Sequence, residues 1–168
     1  AITYSLTGTG SEYFSVDENG NVTLKDSLDF ETYSNYEITL VASDGELTTS
    51  SVITFDISDV DEAPSLSSTL KSESFEESIA VGTALATISS VDPESQTITY
   101  SLSGTGSENF EIDSKGNITS KVTFDYETET SYTFNVTASD GTNSTTSPLT
   151  ITLSDVNESP DVTISLQG

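Results

Sequence analysis

The architecture this sequence predicts is all-β, a series of tandem Greek-key, immunoglobulin-like β-sandwich repeats. Apolar and polar residues alternate over short runs such as 36–41 and 149–153, the period of a strand with one buried face. Turn chemistry separates the runs, as in Asp17-Glu18-Asn19-Gly20-Asn21, Ser43-Asp44-Gly45 and Asp140-Gly141-Thr142-Asn143. The whole pattern then recurs, and no stretch carries a helical stripe.

The recurrence is regular. Ser5-Leu6-Thr7-Gly8-Thr9-Gly10-Ser11-Glu12 returns as Ser101-Leu102-Ser103-Gly104-Thr105-Gly106-Ser107-Glu108, an offset of 96 residues. The same offset carries Leu28-Asp29-Phe30-Glu31-Thr32 onto Phe124-Asp125-Tyr126-Glu127-Thr128. It also carries Asp59-Val60-Asp61-Glu62-Ala63-Pro64 onto Asp155-Val156-Asn157-Glu158-Ser159-Pro160. A period near one hundred residues is too long for a solenoid unit and fits whole domains in series.

In chain order, the second repeat opens with a short strand around residues 74–76, followed by alternating runs at 85–89, 98–102, 110–112 and 117–120. A long run at 132–139 and a closing one at 149–154 complete a set suited to a seven-stranded sandwich. Pro64 and Pro160 close equivalent motifs, and proline cannot donate to a sheet ladder, so each marks a stop between domains. The expected division is a repeat over 1–64 that lacks its first two strands, a complete repeat over 65–160 and the start of a third over 161–168. The expected reading is a fragment of a longer array, and a permuted or strand-exchanging subunit, completed by a strand from a neighbouring chain, is the alternative.

Charge narrows the function. The chain has 28 acidic residues against 4 basic ones, a net charge of −24 and no histidine. Such a polyanion repels nucleic acid and anionic membranes and destabilises its own compact state unless cations join it. Cysteine is absent, so no disulfide holds the repeats, and no run of eighteen apolar residues predicts membrane insertion. Catalysis is not expected either: histidine and cysteine are missing, and paired acids at domain ends are better explained as ligands.

Four acidic groups fall at turns or strand ends: Asp29-Phe30-Glu31, Asp59-Val60-Asp61-Glu62, Asp92-Pro93-Glu94 and Ala138-Ser139-Asp140. Calcium takes about six to eight oxygen ligands and mixes bidentate carboxylates with carbonyls, which suits such groups. Alternate acids on an extended segment, Asp29 with Glu31, point to the same side. Any one group is also an ordinary solvated turn; the recurrence of several in order is what points to Ca2+.

These residues resemble the cadherin repeat. Asp29-Phe30-Glu31 and Asp125-Tyr126-Glu127 are similar to its Asp-Arg-Glu signature, and Ala42-Ser43-Asp44 and Ala138-Ser139-Asp140 to its Ala-x-Asp signature. Glu77-Ser78-Ile79-Ala80-Val81-Gly82-Thr83 resembles its leading strand, and Asp92-Pro93-Glu94 its Asp-x-Asp loop. The resemblance implies a junction around Pro64 with calcium ligands Asp29, Glu31, Asp59, Asp61 and Glu62, joined by Asp92, Glu94 and Asp140. It implies a second set at Glu77, Asp125, Glu127, Asp155, Asn157 and Glu158. Two departures bear on at least one of the family's three calcium ions per linker: the motif ending at Pro64 lacks the final linker asparagine, and Phe30 or Tyr126 stands where the family has arginine.

The compact Asp92-Pro93-Glu94 loop looks more like bacterial cadherin-like repeats than animal ones. The function this implies is a calcium-dependent structural or adhesive module, secreted or on the cell surface, that stiffens an extended adhesin. Its partners would be neighbouring repeats of the same chain, homotypic repeats or a surface polysaccharide. Sugar stacking on Tyr13, Tyr33 or Tyr126 is the rival reading, and a filament or phage fibre module is a third.

Overall fold

A computed structural model describes residues 1–160 and Val162. The predicted third repeat therefore lies, but for Val162, outside the described residues. The chain divides into two compact units between Asp61 and Glu62.

In the first unit, β1 (Thr3–Thr9), β4 (Asn35–Ser43) and β5 (Thr48–Asp56) form one antiparallel sheet in the order β1-β4-β5. A separate pair joins β2 (Phe14–Val16) to β3 (Val22–Leu24). Tyr36 and Ile38 are fully buried on β4. The Tyr36 ring stacks on Phe55 at 5.3 Å and meets Phe14, Tyr13 and Tyr33 edge-on at 5.7–6.1 Å. This aromatic group is the interior of the unit, because edge-to-face and offset contacts add to the burial of large rings.

The second unit contains β6 (Ser67–Leu70), β7 (Phe75–Glu76), β8 (Ala84–Ser89), β9 (Thr99–Ser103), β10 (Phe110–Ile112), β11 (Asn117–Ser120), β12 (Ser131–Ser139) and β13 (Ser144–Ser154). They build two four-stranded sheets, β10-β11-β8-β6 and β7-β13-β12-β9. Inward residues alternate along each strand: Leu85 and Ile88 on β8, Ile118 on β11, Phe134 and Val136 on β12, Leu149, Ile151 and Leu153 on β13. Each such side chain contributes about 1.5–3 kcal/mol on burial, which lets this sandwich hold together without disulfides.

Two differences from the sequence reading have physical causes. Ser67-Ser68-Thr69-Leu70 is an exposed edge strand with no apolar alternation, so its pattern carries no signal. β13 begins five residues earlier than expected, because Pro148 faces Asn135 of β12 with no strand paired on its other side, where a missing N–H costs nothing. One glycine is required by close approach: a Cβ on Gly116, at φ +80°, would come within 2.3 Å of the Ile88 carbonyl, and the Ile88 N–H donates to Gly116 at 2.8 Å. That contact ties the β10–β11 turn to β8.

Candidate metal centre

The acids fall into classes according to what their oxygens already do. Asp17 and Asp113 are turn formers. One oxygen of each accepts backbone N–H bonds from two and four residues on, at 2.8–2.9 Å, and the other accepts the Asn21 or Asn117 side-chain amide at 2.8 Å. The asparagine bonds hold both carboxyls below the usual aspartate range. Both oxygens accept from their own loop, so these turns are held by hydrogen bonds within the turn.

Asp29 and Asp125 also build their own turns. Asp29 accepts the Glu31 N–H at 3.0 Å and the Thr32 hydroxyl at 2.8 Å, and the hydroxyl is the main reason its carboxyl sits below the ordinary range. Asp125 does the same with the N–H and hydroxyl of Thr128. These bonds start each turn and carry the next residue but one, Glu31 or Glu127, on its exposed side.

Asp92 and Asp140 divide their oxygens. In Asp92, Oδ1 accepts the Gln96 N–H at 2.8 Å, and in Asp140, Oδ1 accepts the N–H groups of Thr142 and Asn143. In both, Oδ2 is shielded from solvent without a hydrogen-bond partner, and both carboxylate oxygens of Glu94 are in the same condition. Buried polar atoms are nearly always satisfied, and a carboxylate is the costliest to leave unpaired. Four such oxygens on three acids suit a hard cation, for which oxygen donors are the preferred ligands. Glu94 also has a carboxylate oxygen within 4.8 Å of one from Glu62.

In the first unit, carboxylate oxygens of Glu31 and Asp59 come within 4.8 Å of each other. Asp61 is half-buried and Asp59 exposed. The predicted acids at the end of β5 and in the turn before β4 thus include one close pair within the unit.

At the other end of the second repeat, Glu77, Glu127 and Glu158 each place a carboxylate oxygen within 4.8 Å of the others. Glu77 is only 6% exposed. Its two oxygens accept the Tyr126 N–H at 2.5 Å and the Val156 N–H at 2.8 Å, so it joins both acidic segments to the end of β7. Those bonds hold its carboxyl below the usual glutamate range. Glu158 is pushed the opposite way, chiefly because crowding removes it from water, and then by the charges of Glu77 and Glu127. These acids border a groove of about 520 Å³ lined also by Ser78, Ile79, Thr123, Phe124 and Asp125, with no basic side chain. Three clustered carboxylates without a positive partner fit a divalent cation: an ion there would supply the missing charge.

The structure therefore brings Glu77, Glu127 and Glu158 together, with Asp125 on the wall of the groove. Asp155 and Asn157 are exposed and outside that cluster. What the sequence reading missed is the backbone role of Glu77, since no side-chain pattern announces a carboxylate that accepts two main-chain N–H groups. Tyr13 and Tyr33 pack against buried Tyr36, and Tyr126 packs on the second core. Among the described residues no helix is long and apolar enough to cross a membrane.

Comparison with known proteins places the chain beside proteins of known family. The cadherin domain family model matches residues 1–65 and 71–154. The chain is 32% identical over 165 residues to cadherin EGF LAG seven-pass G-type receptor 2 of Mus musculus, covering 92% of this chain and 6% of the receptor. It is 34% identical over 182 residues to cadherin-related family member 1 of Gallus gallus, covering 97% of this chain and 21% of that protein. The chain thus spans a small part of these relatives' length. Among solved structures, extracellular cadherin domains 3–6 of protocadherin gamma B2 align with a TM-score of 0.58 at 27% identity, over 94% of this chain and 40% of that one. Mouse cadherin-23 EC22–24 aligns with a TM-score of 0.53 at 25% identity, over 92% of this chain and 54% of that one.

Proposed function

The chain belongs to the cadherin domain family, and from that premise we propose that it is a calcium-rigidified extender of a large surface adhesin. Cadherin domains are calcium-dependent adhesion repeats of extracellular proteins, and the relatives are adhesion or structural proteins, not enzymes. The finer reading rests on the orphaned oxygens of Asp92, Glu94 and Asp140, shielded from water with no protein partner.

Asp92, Glu94 and Asp140 are assigned as ligands in the second repeat, and Asp29, Glu31, Asp59, Asp61 and Glu62 as ligands in the first. Glu77, Asp125, Glu127, Asp155, Asn157 and Glu158 form the set at the far end. Bound calcium supplies positive charge and a fixed oxygen geometry. The chain's own part is to hold the acids in place: Asp92 and Asp140 lock their loops with one oxygen and keep the other for the ion. Calcium at these sets offsets part of the chain's net charge of −24 and stiffens it by tying the acids to a common ion.

The test is a thermal melt with small-angle scattering in excess chelator, then in millimolar calcium, with magnesium as control. Calcium binding to the folded state adds about 2.7 kcal/mol at a hundredfold excess over its dissociation constant. A calcium-specific rise in melting temperature with a stiffer particle supports the extender. An unchanged melt and shape would reduce the acids to solvated turns.

A further inference from the structure

Residues 17–21, 92–96 and 113–117 are three copies of one turn. In each, the N–H of the fourth residue donates to the carbonyl of the opening aspartate, from Gly20 at 3.1 Å, Ser95 at 3.1 Å and Gly116 at 3.0 Å. The N–H of the fifth donates to that aspartate's Oδ1 at 2.8 Å, from Asn21, Gln96 and Asn117. The fourth residue is left-handed in all three, with φ +84° at Gly20, +80° at Gly116 and +61° at Ser95. Ser95 is the one non-glycine with positive φ among the described residues. The two bonds to Asp92 thus impose the same path on a residue that ordinarily avoids it.

The copies part at the fifth residue. Asn21 and Asn117 each fold the side-chain amide back onto the second oxygen, Oδ2, of Asp17 or Asp113 at 2.8 Å. The backbone N–H and side-chain amide of one asparagine so clamp both oxygens of one carboxylate. Gln96 makes the same backbone bond but carries its amide one methylene further out, and Oδ2 of Asp92 has no hydrogen-bond partner. Asp17 and Asp113 are exposed, whereas Asp92 is 5% exposed. Water can serve an oxygen at an exposed turn; a shielded oxygen needs a partner from elsewhere. The chain caps the two exposed aspartates and leaves the shielded one uncapped. We infer that the residue four positions after the aspartate decides whether such a turn closes on both oxygens, and that glutamine at position 96 reserves Asp92 Oδ2 for a cation. This deepens the calcium reading and rests on Asp92 being a ligand. Gln96 is then a positioning residue: its backbone N–H fixes Oδ1, and the length of its side chain keeps a competing donor off Oδ2.

The experiment is Gln96→Asn in the full chain, with isothermal titration by calcium and melts in chelator. The shorter amide closes on Asp92 Oδ2, so calcium affinity is expected to fall by about tenfold, the scale on which groups that orient a ligand act. The melting temperature in chelator is expected to rise, because a shielded oxygen gains its donor. These opposite signs distinguish the effect from simple damage to the fold, which lowers both. Gln96→Ala removes the amide without supplying asparagine's reach and is expected to keep the parent's affinity. In the mirror variant, Asn117→Gln, the side-chain amide is expected to lose its protection from exchange by NMR, since it no longer sits on Asp113. Equal calcium affinity in Gln96→Asn and the parent overturns the proposal. So does an equal loss in Gln96→Ala, which gives the glutamine amide a direct role, and so does a protected amide in Asn117→Gln, which shows that glutamine closes the turn too. A parent chain that binds no calcium sinks the extender reading and this proposal together, whereas a parent that binds and a Gln96→Asn variant that binds equally sinks this proposal alone.

Discussion

The contrast between the two repeats makes a paired substitution informative. Leu149 is 5% exposed in the core of the second repeat, and its counterpart Ile53 is 36% exposed on β5. Leu149→Ala removes three carbons worth about 0.8 kcal/mol each, roughly 2.4 kcal/mol in transfer alone, and leaves a cavity closed on all sides. The total is about 3–4 kcal/mol, within the usual range for buried leucine. Ile53→Ala removes the same number of carbons from a side chain already about one-third in water, where solvent fills the gap, so its cost is about 1.5 kcal/mol or less. For a domain of about a hundred residues, Leu149→Ala then lowers the melting temperature of its repeat by about 12–30 °C. The assay is urea denaturation followed by residue-resolved NMR, which separates the transition of each repeat. If Ile53→Ala costs its repeat as much as Leu149→Ala costs the other, the face around Ile53 is packed and the argument from exposure fails.

Two further outcomes follow from the carboxylates. Glu77→Gln is expected to weaken calcium binding and also to speed exchange of the Tyr126 and Val156 amides in chelator, because those N–H groups lose an anionic acceptor; Glu127→Gln, which relieves crowding around Glu158, is expected to weaken calcium binding without destabilising the chelated protein, as isothermal titration and melts will check. Asp113 has a folded pKa below its usual 3.8, so its contribution is present above that value and is lost as pH falls through the lower folded pKa; Asp113→Asn should therefore flatten the acid limb of stability below pH 3.8, measured by urea titration across pH.

Strands with alternating apolar residues were legible in the sequence, because a half-buried strand writes its period into the chain. The runs at 110–112 and 117–120 coincide with β10 and β11. The Ser67–Leu70 strand was not legible, since an exposed edge selects neither face. Among the acids, the sequence located the groups but not their roles. Asp17-x-Asn19-Gly20-Asn21 and Asp92-Pro93-Glu94 look equally acidic on paper. Only hydrogen bonding separates a turn that uses both oxygens of its aspartate from one that leaves an oxygen buried and unpaired.

That separation bears on how calcium loss acts. The loops of Asp92 and Asp140 are closed by N–H bonds to Oδ1, and those of Asp17 and Asp113 by bonds to both oxygens, so none depends on an ion for its shape. The second core consists of apolar side chains from both sheets and includes no acid. If calcium sits at the proposed ligands, its removal leaves Glu77, Glu127 and Glu158 with a mutual repulsion that protonation or another cation offsets. Under the proposed assignment, an array of such repeats would lose stiffness as calcium falls and regain it when calcium returns.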